Sequence, residues 1–371
     1  MDTIDDSQPA SVVIVGGGYG GINLARHLDE VADVVLVERR EAFVHNVAAL
    51  RAAVDPDWAA RIFLPYDQLL ARGRVVHDRA VSVRPGEVTL AHSGVLAADY
   101  VVLATGSTYP FPAKSHADHT ATALRDYAAI AQSLTEAGRI LLVGAGPVGL
   151  EMAGEITSRW PGKQVVIVDA LDHILTGAYR EELRDELAAQ LKQRGVELLL
   201  GSPLAADPPV SPGVVAPFTA RTVTGTEVRA DLWLRCYGVS PVTDYLSGEL
   251  AAARTPGGLV RVDAQLRVLG QQRVFATGDI TAVDEPKMAS RAGRHAAVVA
   301  ANISEMIEGG PGNATYEPSP PVILVPLGPD GGAAQLPGAE EIAGPEQAAQ
   351  FKGSHLLIGR YRELFGLPAE T

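Results

Sequence analysis

Close to its N-terminus the chain reads Val12-Val13-Ile14-Val15-Gly16-Gly17-Gly18-Tyr19-Gly20-Gly21. Four apolar, mostly β-branched residues run straight into a glycine-rich turn, with the spacing G-x-G-x-x-G at Gly16, Gly18 and Gly21. A helical pattern with Ala25 on its inner face follows, and a second apolar run, Val34-Val35-Leu36-Val37, ends at the acidic Glu38. Strand, glycine turn, helix, strand and terminal acid together specify a dinucleotide-binding unit. Gly16 permits the tight turn, Gly18 lets backbone approach a pyrophosphate, and Gly21 lets helix and strand pack closely. The helix N-terminus then offers unpaired N–H groups to the phosphates, and Glu38 would accept hydrogen bonds from the ribose hydroxyls.

The same arrangement recurs downstream. Ile140-Leu141-Leu142-Val143 enters Gly144-Ala145-Gly146-Pro147-Val148-Gly149, Glu151 and Ala153 follow, and Val165-Val166-Ile167-Val168 ends at Asp169. Two complete units in one chain imply two dinucleotides. A carboxylate at Asp169 would bond a 2′-hydroxyl and repel a 2′-phosphate, and residues 170–173 (Ala, Leu, Asp, His) include no arginine, so NADH is expected to be preferred to NADPH. Glu151, in the first turn of the second helix, either answers the helix dipole or bonds near a nicotinamide.

A third segment, Arg273-Val274-Phe275-Ala276-Thr277-Gly278-Asp279-Ile280, is an apolar strand ending in glycine-aspartate. The pair is either an ordinary turn or, as in FAD-binding folds with two dinucleotide units, a holder of the ribityl chain and pyrophosphate, in which case Asp279 would be the ribityl ligand. The strand end Leu103-Ala104-Thr105-Gly106 suits a crossing between domains close to the cofactor. Pro286-Lys287-Met288-Ala289 leads into a helix, Ser290 to Ile307, whose positive end would face the flavin where negative charge grows on reduction. Lys287 either adds to that field or is a surface lysine, and His295 is read as a packed core histidine. His45 could be a general acid, a flavin-adjacent donor or a structural polar group, and Asn46 a cap. Further candidate cofactor contacts are Tyr19, Gly20, Arg39, Asn46, Val81, Ala104, Thr105, Gly106, Lys287 and Met288, with Pro147 and Val148 in the second turn and Gly238 where Tyr237-Gly238-Val239 leaves a strand expected over Ala230–Cys236.

The fold class is therefore α/β: two Rossmann-like domains and a small α+β C-terminal module. The expected limits are 11–110 and 251–311 for a split FAD domain, 111–250 for an inserted NAD(P)H domain, and 312–371 for the module. With 371 residues two or three cores are natural. A net charge of −13 argues against nucleic acid as a partner. The single cysteine, Cys236, allows neither an internal disulfide nor a cysteine-pair redox centre. No metal-ligand cluster is visible. Residues 1–10 are acidic, lack a signal-peptide core and are expected to be disordered. The location expected from these features is cytoplasmic.

The chain resembles the two-dinucleotide FAD/NAD(P)H oxidoreductases, and among them the ferroptosis suppressor protein branch of the apoptosis-inducing-factor-like flavoproteins, related to the type II NADH dehydrogenases. The matching stretches are His45-Asn46-Val47-Ala48-Ala49-Leu50-Arg51-Ala52, Leu103 to Thr108 with Pro110-Phe111-Pro112, Pro286-Lys287-Met288-Ala289 with Asn302-Ile303, and Lys352 ahead of Leu356-Leu357-Ile358. The resemblance implies hydride transfer from NADH to FAD N5 and two electrons to a quinone-like acceptor. It places Glu151 on the nicotinamide side and Lys287 and Lys352 on the flavin or acceptor side. A ferredoxin-type protein or biosynthetic intermediate as acceptor, or a non-enzymatic NADH-responsive redox sensor, are the alternatives. Asp2 stands where the vertebrate members carry a myristoylated glycine, and Lys287 to Arg291 replaces the Ala-Gln-rich quinone motif of the type II dehydrogenases. The end from Leu356 to Leu367 is either a docking helix or a weak peripheral membrane contact, and the protein is expected to be a monomer or homodimer.

Overall fold

The computed structural model describes residues 9–369, so most of the stretch expected to be disordered, residues 1–8, lies outside the described residues. The opening apolar run is the strand Ser11–Val15, with Val12 to Val15 buried on both faces. A strand with no polar side must sit inside a covered parallel sheet. It does: the order across the sheet is Val274–Ala276, Tyr100–Leu103, Ser11–Val15, Asp33–Val37, Arg74–Val76, every pair parallel. The register sets Val15 beside Val37 and Leu103, so Gly16, Glu38 and Ala104 leave the sheet at one edge. Ligands of open α/β sheets bind at that carboxyl edge.

The second unit repeats the geometry, with the order Val196–Leu199, Gln164–Val168, Arg139–Val143, Leu232–Arg235, again all parallel. Here the expected strand over Ala230–Cys236 is corrected. Glu227–Ala230 pairs antiparallel with Phe218–Arg221, and only Leu232–Arg235 enters the parallel sheet. Asp231 makes the break, because its carboxylate accepts the Arg139 backbone N–H at 2.9 Å and its guanidinium at 2.7 Å. The chain passes between the two units through a short antiparallel pair, Ser107–Thr108 against Ser240–Pro241.

The strands Ile323–Pro326 and Gly332–Gln335 pair as an antiparallel hairpin, which lies on the second unit's helix, Pro147–Arg159. A methyl at Gly154 of that helix would fall 2.4 Å from Leu327 Cα, so the contact needs a glycine. Beyond the hairpin come Pro345–Ala348, a wide turn at Ala349–Gly353 and the helix Ile358–Leu364. Leu356 and Leu357 between them hold φ of +48° and +62°, a left-handed conformation that side chains with a Cβ adopt only under tertiary constraint. Among the described residues no helix is long and apolar enough to cross a membrane.

The first helix, Tyr19–Leu28, starts directly over the glycine turn, and a Cβ at Gly21 would fall 1.9 Å from the Gly16 carbonyl oxygen. We therefore expect Gly21→Ala to cost about 3 kcal/mol, the upper end of overpacking penalties. Chemical unfolding of the flavin-free protein measures it, and an unchanged midpoint would show that the helix can retreat.

Candidate functional site

At the carboxyl edge of the first sheet, Glu38 is buried and points back into the glycine turn. Its Oε2 accepts the Gly17 N–H at 2.7 Å and its Oε1 the Arg40 N–H at 3.0 Å, while the Tyr66 hydroxyl donates to the Gly17 carbonyl at 2.8 Å. The turn is thus held from both sides. Gly18, the N-cap of the first helix, has no side-chain cap, and a Cβ there would meet no protein atom. The helix donors therefore open onto space that no protein atom fills, the arrangement that suits an anionic group. Beside them runs a groove of about 430 Å³, lined by Gly16, Glu38, Arg39, Arg40, Val81 and Thr105 among others. Five of the candidate cofactor contacts therefore share one cavity: Gly16, Glu38, Arg39, Val81 and Thr105. Arg39 and Arg79 both pair with Asp118, which keeps two guanidinium groups at the groove.

Asp279 follows Gly278, whose φ of +75° makes the turn. Its Oδ2 accepts the Ser107 hydroxyl at 2.6 Å and lies 3.4 Å from Lys114 Nζ, which itself donates to the Ser107 carbonyl and hydroxyl, both at 2.8 Å. Burial lowers the Lys114 pKa against the pull of Asp279. Sequence reading missed Lys114, a single lysine after a proline-rich crossing with no spacing to mark it. Lys287 is placed differently from expectation. Its ammonium donates to the carbonyls of Thr281 at 2.8 Å and Val283 at 2.9 Å, so it ties down the segment behind the glycine-aspartate turn. Met288 is the N-cap of the helix Ala289–Ile307, without a side-chain cap bond.

In the second unit Asp169 repeats the role of Glu38: Oδ2 accepts the Ala145 N–H at 2.5 Å and Oδ1 the Leu171 N–H at 2.8 Å. A Cβ at Gly146 would again meet nothing. Glu151 forms an ion pair with Lys352 Nζ at 2.9 Å, joining the second unit to the C-terminal module. One turn on, Glu155 is clasped by Arg51 at 2.7 and 2.8 Å, and Arg51 also donates to the Gly353 carbonyl at 2.8 Å. Burial pushes the Glu155 pKa up and Arg51 opposes it. Gly238, with φ of +100°, leaves its strand beside Pro110.

His45 is fully buried. Its Nε2 donates to the Leu356 carbonyl at 2.7 Å, and Nδ1 faces the Tyr19 hydroxyl at 3.2 Å, which in turn accepts the Val47 N–H at 3.0 Å. Burial pushes its pKa down to about 4, so the ring is neutral near pH 7 and its one N–H is engaged by the Leu356 carbonyl. His45 thus links the first unit to the left-handed Leu356–Leu357 step. Asn46 starts the short turn Asn46–Ala48, and no side-chain cap bond is made there, which corrects its expected role. Cys236 is buried and its thiol pushed up to about 12, which suits a small core residue.

The sequence pattern of the pyridine nucleotide-disulphide oxidoreductases matches residues 10–296. The chain belongs to this family. Its cofactors are FAD and a nicotinamide dinucleotide. It is 33% identical to ferroptosis suppressor protein 1 of Taeniopygia guttata over 88% of both chains. Apoptosis-inducing factor homolog B of Dictyostelium discoideum is 29% identical over 96% of both. Among solved structures, the sulfide:quinone oxidoreductase of Aquifex aeolicus aligns with a TM-score of 0.73 at 18% identity, covering 96% of this chain and 92% of that one. The NDH2 of Plasmodium falciparum in complex with NADH gives 0.73 at 12% identity, covering 93% of each. The structures share the fold. Within the family this chain has a single cysteine, so its electrons have no cysteine pair to pass through.

Two tests follow from this geometry. Gly18→Ala, whose φ of −77° suits alanine, should leave unfolding of the flavin-free protein within about 0.5 kcal/mol of wild type. It should nonetheless weaken FAD binding, read by flavin fluorescence, because the new methyl fills the diphosphate space. For His45 the folded pKa lies below the unfolded one, so the unfolded chain takes up the proton first as pH falls. Stability should be full above pH ~6.5 and decline toward pH ~4, by at most about 3 kcal/mol from this group. Urea unfolding at several pH values in wild type and His45→Gln isolates its share.

Proposed function

We propose that the chain is an NADH-dependent reductase of small quinone-like acceptors. In this reading residues 11–110 and 251–311 hold FAD, residues 111–250 hold NADH, and residues 312–371 shape the acceptor entrance. The observation that carries it is the meeting of Glu151 and Lys352 across the second unit and the C-terminal module. Those are the two residues that the family resemblance puts at the nicotinamide and acceptor sides. The single cysteine supports a small acceptor that comes to the flavin, since no disulfide relay can carry electrons away. The name of the sulfide:quinone oxidoreductase of similar fold supports the acceptor class.

Bound FAD supplies the two-electron step between nicotinamide and acceptor. The chain's own residues do the rest. The helix N-termini at Gly18 and Gly146 receive the two diphosphates, and Glu38 and Asp169 receive the two adenosine riboses. Asp169, with both oxygens already engaged by backbone N–H groups, cannot swing away from a 2′-phosphate, which sets the preference for NADH. Asp279, held by Ser107 and flanked by Lys114, fixes the ribityl region. The positive N-terminal end of the helix Ala289–Ile307 would favour negative charge on the flavin, and Lys287 ties down the segment that leads into that helix. Glu151 would orient the nicotinamide, and Lys352 Nζ, with one donor on Glu151 and a second on the Leu324 carbonyl at 3.4 Å, has one left for an acceptor oxygen.

Anaerobic stopped-flow with NADH, NADPH and then a short-chain quinone tests this. NADH should bleach the flavin about tenfold or more faster than NADPH, a difference of about 1.4 kcal/mol, and quinone should restore the colour. Asp169→Ala combined with Ala170→Arg should reverse the nucleotide preference. If the flavin stays reduced in quinone, the acceptor class is wrong and the redox-sensor alternative gains.

A further inference from the structure

Against the backbone of the glycine-aspartate turn lies a buried polar cluster that neither motif predicts. His295 and Glu285 have side chains 1% and 2% exposed, with Nε2 2.8 Å from Oε1. The approach is bent, so the contact is chiefly electrostatic. On its other side, His295 Nδ1 accepts the backbone N–H of Gly278 at 3.1 Å. That bond fixes the tautomer: Nδ1 is bare, and the proton sits on Nε2 facing the carboxylate. The second Glu285 oxygen accepts the Tyr316 hydroxyl at 2.7 Å, and the Tyr316 ring stands edge-on to the imidazole with centroids 4.2 Å apart. Arg291 Nε lies 3.7 Å from the same oxygen. Tyr316 belongs to the strap of residues 311–321 that leads into the C-terminal module. The strap is fastened along the helix by Arg291 to the Pro320 carbonyl at 3.1 Å, Arg294 to the Glu317 carbonyl at 3.0 Å and Asn302 to the Ala314 carbonyl at 2.9 Å.

A buried carboxylate beside a buried imidazole is costly to keep, and a core histidine with only a packing role would be cheaper as leucine or phenylalanine. What the pair supplies is one directed contact: its single backbone terminus is Gly278, the residue whose left-handed φ aims Asp279. We propose that His295 and Glu285 are positioning residues for Asp279. They hold the Gly278–Asp279 turn in the conformation that receives the flavin, and Tyr316 ties this support to the strap. The inference rests on the assignment of FAD to Asp279 made under Proposed function. Burial, opposed by Glu285, pushes the His295 pKa down to about 4, which keeps Nδ1 free to accept. The charged and titratable groups facing the ring are Glu285, Arg291, Arg294, Lys287 and Tyr316.

The test is a double-mutant cycle on the full-length protein, read as the FAD dissociation constant of stripped protein and as the visible circular dichroism of the bound flavin. His295→Phe keeps the ring and removes the acceptor, and should weaken FAD about tenfold or more, while His295→Asn, which retains an oxygen near the Nδ1 position, should recover most of the loss. In an Asp279→Ala background His295→Phe should cost little further, because its route to the flavin has been cut. NAD⁺ affinity at the second unit should be unchanged throughout. If His295→Phe does not fold, the same comparison between His295→Asn and Glu285→Gln decides, with loss of flavin affinity expected only in the latter. FAD binding and dichroism equal to wild type in His295→Phe and in Glu285→Gln, or losses that add fully with Asp279→Ala, would overturn the proposal. Wild type that binds no FAD would instead overturn the cofactor assignment beneath it.

Discussion

A single close approach governs both halves of this protein. In each glycine turn the third glycine sits so near the carbonyl of the first that a methyl would fall 1.9 Å from its oxygen, at Gly21 over Gly16 and at Gly149 over Gly144. Only with hydrogen at that position can the helix begin directly above the strand end. Its N–H groups then face the open side of the turn, the arrangement that suits an anionic group, and the adjacent strand brings its terminal carboxylate into the same turn. Everything at the two dinucleotide sites depends on that contact: the buried Glu38 reaching Gly17, Asp169 reaching Ala145, and the open side of Gly18 and Gly146.

A second layer of polar contacts joins the modules. Arg51 from the first unit clasps Glu155 of the second and the Gly353 carbonyl of the C-terminal module, and His45 reaches the Leu356 carbonyl. Each is buried, so each partner depends on the other for its hydrogen bonds, and loss of one leaves an unpaired group away from water. The C-terminal module is therefore held in register with the two dinucleotide units. Lys352 meets Glu151 as a result of that register, with the left-handed Leu356–Leu357 step as its local cost.

Most of the fold could be read from the chain because its signals are local. A β-branched run entering G-x-G-x-x-G and ending one strand later at an acid spans about thirty residues, within which spacing dictates geometry. The antiparallel pairing of Glu227–Ala230 escaped that reading. Its apolar pattern merges with Leu232–Arg235, and the break at Asp231 is made by Arg139, distant in sequence. Lys287 looked free because a lysine before a helix has no local sign of whether water or two carbonyls receive its protons. The fold shows the carbonyls.

By itself the sequence determined two dinucleotide units, the acids that end their second strands, the glycine-aspartate strand and the want of a cysteine relay. All of these follow from residue type and short spacing, the terms in which local backbone geometry is set. The tertiary structure alone decided that His45 is a neutral bridge, that Lys114 stands beside Asp279, that Glu151 pairs with Lys352, and that His295 with Glu285 backs the Gly278 turn. Those contacts join segments up to three hundred residues apart, and no periodicity records which buried polar groups will share a proton once separate strands and helices have packed.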